Sequence, residues 1–452
     1  MNRTYIKDLR DNVGKESTIY GWVDVRRDQG KLIFFDFRDM TGSVQGVILP
    51  GAKEAHEVGA KLRQEWVVSV RGKVNKRPDK SIQKDRQNGD IELEILSITI
   101  LTQAEEIPFD REAPDLTLET RFDYRPYTLR SKRDRDIFAV QSTILAEFRD
   151  SLRSQNFTEF TAPVLVGGDA EGGAAVFEIP DYYGHKAYLA TSGQLYKQIM
   201  VGPMERVFTV AKTFRAEKSA TTRHLAEIVQ LEFEMGFVDG PKDVMAVLEK
   251  VIRDISVKVA STHADALARL GTTPALLPKG AFPVFSLTEA QEVLEREFGT
   301  KCKGELDMEP EHERQICQYA KEKLGSDFVF ITRFPTKKRA FYTMADPKDP
   351  EWSLSFDLLF RGLEINSGAQ RIHNYTELVE KMKSRKMDPD KFAFYLQAFK
   401  YGMPPHGGCS TGLERLTARM LDLANVKEAS TFPRDMNRID GLLSKEDGPE
   451  KR

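Results

Sequence analysis

The chain has few cysteines: Cys302, Cys317 and Cys409 are all it contains, far apart and odd in number. They make neither a disulfide framework nor a zinc site, and a reducing cytoplasm is the expected compartment. Long apolar runs are missing too. No stretch approaches the ~20 residues of a membrane span, and Met1-Asn2-Arg3-Thr4-Tyr5 begins no secretory signal, so no membrane partner is expected. Charge of one sign is not in excess. A formal net charge of −2 excludes a generally basic nucleic-acid binder and confines any RNA contact to local patches. The Walker loop and Gly-x-Gly-x-x-Gly are absent, which disfavours P-loop and Rossmann nucleotide sites. No internal repeat occurs. The 452 residues, 40% hydrophobic and 30% charged, imply a soluble globular protein of two or three domains.

Residues 15 to about 103 read as five short strands with a helical segment near 52–64, a small closed barrel of OB type spanning residues 1–103. Residues 104–130, rich in Pro, Asp and Arg, suit a hinge. From Arg133 an amphipathic helix carrying Phe138, Val140, Ile144, Phe148 and Leu152 opens a second domain over 131–443. Its strands are expected near 159–165, 187–192, 206–217, 228–238, 354–365 and 408–411, as antiparallel hairpins with helices to one side. The fold class is therefore α+β. Residues 241–350 look like an insertion, and the charged run 444–452 like a disordered tail.

The stretch from Val207 to Phe237 carries the most chemistry. In the return strand Val229, Leu231, Phe233, Met235 and Phe237 form one face, while Gln230, Glu232 and Glu234 form the other and should line something wet. Arg215 and Glu217 share a face on the first strand, and Arg223 and His224 lie in the connection. Cations around one floor suit a polyphosphate, which takes planar bidentate donors. A solvated hairpin tip is the plainer explanation of such charges. Further on, Asp357, Glu364 and Ser367 are hard oxygen ligands fit for Mg²⁺ beside phosphates, although acids on strands are more often salt-bridge partners. Gly407-Gly408-Cys409-Ser410-Thr411-Gly412-Leu413-Glu414-Arg415 runs from strand to helix, with Arg415 near the anion-favouring helix start. In the barrel, Arg27, Phe34 and Gln45 offer a cation, a stacking ring and an amide to unstacked bases, though most barrel aromatics must be core.

Phe214-Arg215-Ala216-Glu217, Thr222-Arg223-His224-Leu225 and Glu232-Phe233-Glu234-Met235-Gly236-Phe237 at this spacing resemble motif 2 of the class II aminoacyl-tRNA synthetases. The glycine-rich strand and Arg415 resemble motif 3, and Phe157 to Leu165 with Pro163 resembles motif 1, which forms a homodimer interface. The resemblance runs from about residue 3 to residue 440 and narrows to the aspartate/asparagine/lysine subgroup. Glu171-Gly172-Gly173, Gln194-Leu195-Tyr196-Lys197-Gln198, Ser367 to His373 and Lys400 to His406 look like the aspartyl members of archaeal and eukaryotic kind. It implies ATP-dependent ligation of L-aspartate to tRNA through aspartyl-adenylate, with Mg²⁺. Aspartate contacts then fall on Glu171, Gln194, Lys197, Arg215, Glu232, Ser367 and Arg371, and ATP contacts on Arg215, Glu217, Arg223, His224, Leu225, Glu364, Gly412 and Arg415. Mg²⁺ would lie on Glu364, Ser367 and Asp357, and the anticodon on Arg27, Phe34 and Gln45, with Arg215 and Arg415 as the catalytic pair.

Two departures, Gly193 where aspartyl members usually carry proline and Glu232 where they carry aspartate, resemble the asparaginyl members. Charge favours aspartate, because Lys197 and Arg371 match a carboxylate, whereas a neutral amide leaves a buried cation unpaired at about 1–3 kcal/mol. An asparaginyl enzyme, an asparagine-synthetase-like paralogue and an RNA-binding protein without charging activity are the other readings. Whether aspartate tRNA alone or also asparagine tRNA is charged stays open, with Asp24 at the position where that choice is tuned.

Overall fold

The computed structural model describes residues 3–84, 86–168, 175–216, 218 and 221–439. The tail 444–452 and the candidate residues Glu171 and Glu217 lie outside them. Two compact units divide the chain between Asp110 and Arg111.

The first unit is a closed barrel of β1 (Glu16–Asp28), β2 (Ile33–Asp39), β3 (Gly42–Ile48), β4 (Val67–Lys76) and β5 (Ile91–Thr102), in the order β1-β2-β3-β5-β4. Period-two alternation turns Ile33, Phe35 and Phe37 inward, where the two phenylalanine rings stack. Phe34 and Asp36 face outward. Helix α1 (Lys53–Gly59) adds Ala55 to the same core. This is the OB barrel that the strand pattern implies.

The second unit is built on an eight-stranded sheet, antiparallel apart from its two outermost pairings. Its strands are β6 (Thr158–Glu159), β7 (Arg206–Phe214), β8 (Glu227–Gly236), β9 (Val284–Ser286), β10 (Phe328–Thr332), β11 (Ser355–Phe360), β12 (Leu363–Arg371) and β13 (His406–Gly412). The spatial order is β9-β10-β11-β12-β13-β8-β7-β6. One face packs on α2 (Lys132–Ser154) and α4 (Pro241–Thr262), whose Ile137, Val140, Ile144 and Leu248 share a core with Phe208, Phe233, Phe330 and Phe356 of the strands. The opposite face carries the polar residues described below, with α3 (Gln194–Met204) at one end and α5 (Leu287–Phe298) and α6 (Pro310–Leu324) at the other. A last helix, α7 (Leu413–Met420), follows β13 directly. Among the described residues no helix is long and apolar enough to cross a membrane.

Three expectations change. The segment 241–350 is no excursion: α4 supplies core, and β9 and β10 extend the main sheet. The strand expected over 354–365 is two strands, because Arg361 and Gly362 turn the chain at φ 47° and 81°. Phe237 leaves the apolar face of its strand, since β8 ends at Gly236 and Phe237, at φ 57°, is 71% exposed.

The stretch 104–130 also does more than connect. Short helices Leu118–Asp123 and Arg125–Thr128 bring Arg121 and Arg125 onto fully buried Asp134, at 2.8 and 2.9 Å. Ser131 donates its hydroxyl to the same carboxylate at 2.7 Å and accepts from the Asp134 amide, capping α2. Removing one partner of such a buried network strands the others. Asp134→Ala is expected to destabilise the second unit by about 3–5 kcal/mol, read as a lowered urea midpoint; an unchanged midpoint would show the network to be neutral.

Candidate active site

Lateral neighbours in a sheet project to the same face, so the register aligns functional groups across strands. Asp357 on β11 pairs with Ser367 on β12, Ser367 with Ser410 on β13, and Ser410 with Glu232 on β8. Ser367 and Ser410 of this row line a cavity of about 310 Å³. Arg215, Arg223, His224, Leu225, Glu364, Gly412 and Arg415 line one part of it; Ser192, Gln194, Ser367, Arg371 and Ser410 line another. Of the residues singled out in the sequence, these are brought together. Buried polar atoms without a hydrogen-bond partner among the described residues gather here: Gln194 Nε2, Gln230 Oε1 and Glu232 Oε2. Such atoms ask for partners that a ligand would supply.

At one end the charges are deeply buried. Lys197 on α3 is 1% exposed, and its ammonium donates to the Cys409 carbonyl at 3.0 Å. It lies 3.5 Å from both Glu232 and Glu234, which are 0% exposed. Arg371 donates through Nε to Glu234 at 2.9 Å and through Nη2 to the Gly408 carbonyl at 2.9 Å and to Gln194 Oε1 at 3.3 Å. Burial alone would raise the Glu234 pKa, but Arg371 and Lys197 outweigh it and hold the group below its ordinary value. Burial brings His406 down to about 4, so its neutral ring donates from Nδ1 to the Pro404 carbonyl. Lys197 and Arg371, expected to match a substrate carboxylate, thus also face two resident carboxylates. Two cations face two carboxylates, and the cluster is internally balanced. Nor are Glu232 and Glu234 simply wet: both are fully buried.

Local sequence explains how this cluster fits. A Cβ on Gly408 would collide with the Glu234 carboxylate and the Phe233 carbonyl, so only glycine lets the strands close over it. A Cβ on Gly193 would stand 3.0 Å from Glu232 Oε2, and the Gly193 amide donates to Glu232 Oε1 at 3.4 Å.

The phosphate-binding candidates occupy the other end. Arg415, in the first turn of α7, donates to the Glu364 carbonyl at 3.1 Å. Arg223 is held at 3.0 Å by Glu313 from α6. Glu364 is pushed up to about 7 by burial and by Asp357. The expected Mg²⁺ ligands divide. Arg339 donates to both oxygens of Asp357 at 3.1 and 2.6 Å and to the Ser367 hydroxyl at 3.1 Å, while stacking 3.8 Å over Phe334. Asp357 and Ser367 therefore serve a guanidinium in this arrangement, while Glu364 lines the cavity. Among the described residues no three acidic, His or Cys side chains are grouped to hold one. Arg339, Glu313 and Ser192 escape sequence reading; Lys337-Lys338-Arg339 before two aromatics is a faint signal for the first.

In the barrel, Arg27, Phe34 and Gln45 share the outer face around Asp36. Arg27 forks onto Asp36 at 3.0 Å through both terminal nitrogens, Arg86 reaches it at 3.1 Å, and Gln45 is its cross-strand neighbour. Phe34 stands opposite Arg27. Asp24 lies 3.3 Å from Arg38.

The family model for tRNA synthetases class II (D, K and N) matches residues 117–436, and that for the OB-fold nucleic acid binding domain matches 17–101. The chain is 41% identical over 445 residues to the aspartate–tRNA(Asp/Asn) ligase of Thermus thermophilus, covering 97% of this chain and 99% of the relative. It is 38% identical over 451 residues to the aspartate–tRNA(Asp/Asn) ligase of Deinococcus radiodurans, with 97% and 99% covered. Among solved structures, asparaginyl-tRNA synthetase from Pyrococcus horikoshii with asparaginyl-adenylate superposes at TM-score 0.88, with 29% identity and 97% and 99% coverage.

Glu414 offers a test of the site's electrostatics. Both its oxygens accept from the Val229 amide at 3.2 Å, and burial pushes its pKa from 4.5 to about 7. Between those values the folded protein binds a proton that the unfolded chain lacks, so stability falls as pH rises through the window. Glu414→Gln should lose less melting temperature between pH 5 and pH 8 than the wild type; equal losses would refute the buried, protonated state.

Proposed function

Because the chain belongs to the class II tRNA synthetases of the D, K and N group and is an aminoacyl-tRNA ligase, we propose that it joins L-aspartate to tRNA through aspartyl-adenylate. The observation that carries the choice of amino acid is the 41% identity, over nearly the whole of both chains, to a ligase named for aspartate and for both aspartate and asparagine tRNAs. Charging of both tRNAs is accordingly part of the proposal. Asparagine is the second reading, supported by the likeness to an asparaginyl-adenylate complex and by Glu232 beside Gly193.

In the proposed reaction the aspartate α-carboxylate attacks the α-phosphorus of ATP, pyrophosphate leaves, and a terminal ribose hydroxyl of tRNA then attacks the mixed anhydride. Little covalent chemistry falls to the protein. Positioning and charge neutralisation carry the acceleration. Arg215 spans the two substrates, Arg415 and Arg223 take the outer phosphates with His224 and Leu225 beside them, and Gly412 lets the chain turn into α7. Arg371, Lys197 and Gln194 hold the aspartate side chain, with Glu232 and Ser367 alongside and Glu171 as a further expected contact, while Glu217 is expected on ATP. Glu364 would hold Mg²⁺, which would supply positive charge to neutralise the substrate phosphates. Asp357 acts through Arg339 in this account.

The barrel face of Arg27, Phe34 and Gln45 would take the anticodon. A homodimer is proposed through the stretch around Pro163, where Val164 and Leu165 are 37% and 46% exposed and a twofold partner would cover them. The cytoplasm is the proposed setting, consistent with three buried free thiols.

Arg215→Ala and Arg415→Ala should each reduce aspartate-dependent ATP–pyrophosphate exchange by about 100-fold or more, with folding unchanged. Wild-type exchange in either variant would sink the ATP assignment, and faster wild-type exchange with asparagine than with aspartate would reverse the amino acid. Phe34→Ala should spare exchange yet weaken aminoacylation, since a lost base stack costs about 1–3 kcal/mol. Equal loss of both activities would make the ring structural.

A further inference from the structure

We infer that Glu313, carried by α6 within the 241–350 region, is a positioning residue that holds Arg223 for the triphosphate of ATP; the inference rests on the ATP site proposed above. Arg223 lies in the connection between β7 and β8, where a long side chain has many rotamers and little local packing. Its guanidinium is nonetheless anchored. Nη1 donates to Glu313 Oε2 at 3.0 Å, and Nη2 reaches the Gly362 carbonyl at 3.4 Å, in the turn between β11 and β12. The same Glu313 oxygen accepts from the Glu364 amide at 3.4 Å. One carboxylate thus ties together the motif 2 arginine, the acidic strand and the inserted helix, while Arg223 still lines the cavity.

The anchor is itself fixed. Glu313 is 8% exposed and sits in the first turn of α6, where Glu309 caps the helix and its amide donates to His312 Nδ1 at 3.1 Å. The helix packs Ile316, Cys317 and Ala320 against Val329, Ile331 and Leu359, so Glu313 cannot follow Arg223 if the arginine strays. A guanidinium gripped at one edge by a rigid carboxylate keeps its other donors aimed at an incoming phosphate, which lowers the ordering cost of binding. The region that looks like an insertion thereby acquires a task in the ATP site.

The test is a double-mutant cycle with Glu313→Ala, Arg223→Ala and the pair, in full-length enzyme by ATP–pyrophosphate exchange. Glu313→Ala should raise KM for ATP about tenfold while KM for aspartate and kcat change less than about twofold. Glu313→Gln, which keeps the shape and one acceptor, should recover part of the loss and also serves if the alanine variant folds poorly. In the Arg223→Ala background, removing Glu313 should add less than about twofold. Additive losses, an equal fall in all three constants, or tighter ATP binding in Glu313→Ala would overturn the inference. If Arg223→Ala itself leaves KM for ATP unchanged, the ATP role of Arg223 fails first and the inference falls with it.

Discussion

The structure depends on four ionisable side chains buried together against one sheet. Lys197, Glu232, Glu234 and Arg371 are each no more than 5% exposed. Taking an ion out of water costs several kcal/mol even after relaxation, so such a set persists only if every charge is matched. Here the matching is reciprocal: Arg371 grips Glu234, and Lys197 lies between Glu234 and Glu232. The arrangement also dictates its surroundings, for Gly408 must lack a side chain and α3 must bring Lys197 beneath β13. A substrate carboxylate entering this region does not meet bare cations. In the proposed reaction it would share Arg371 and Lys197 with resident acids, so recognition would depend on the geometry of shared hydrogen bonds more than on net charge.

A second ion-pair system lies at the other end of the cavity and is organised differently. Asp357, Glu364 and Glu313 are set against Arg339, Arg415 and Arg223, with contacts that run through backbone carbonyls as well as side chains. Between the two systems the cross-strand row Asp357, Ser367, Ser410 and Glu232 runs from one to the other. Antiparallel register places an arginine-rich end and a balanced, buried end beside one small cavity.

Much of this is legible in the chain. Strict alternation in β8 identifies Leu231, Phe233 and Met235 as the helix-facing side, and the barrel strands follow from short runs bounded by turns. Local patterns carry that information because side-chain period is a property of the backbone alone. Partner choice is not. Asp357 and Ser367 read as metal ligands because nothing nearby in sequence reveals that Arg339 fills them, and Glu313 is invisible for the same reason: it is 90 residues from Arg223. The inserted region misleads by length. A stretch that interrupts two motif-bearing strands looks peripheral, yet β9 and β10 complete the sheet. Lys197 stands out in the sequence, but its burial among acids requires the fold.

Gly193 and Glu232 bear on how this pocket can change. A proline at 193 would bring both a side-chain atom into the space of the Glu232 carboxylate and the loss of the amide that faces it. Shortening Glu232 to aspartate would first withdraw the oxygen from that space, after which a ring at 193 finds room. The other order, proline before aspartate, passes through a crowded intermediate in which the Glu232 carboxylate has lost the Gly193 amide. The two positions are therefore coupled, and single changes in either direction pass most easily through glycine at 193 with aspartate at 232.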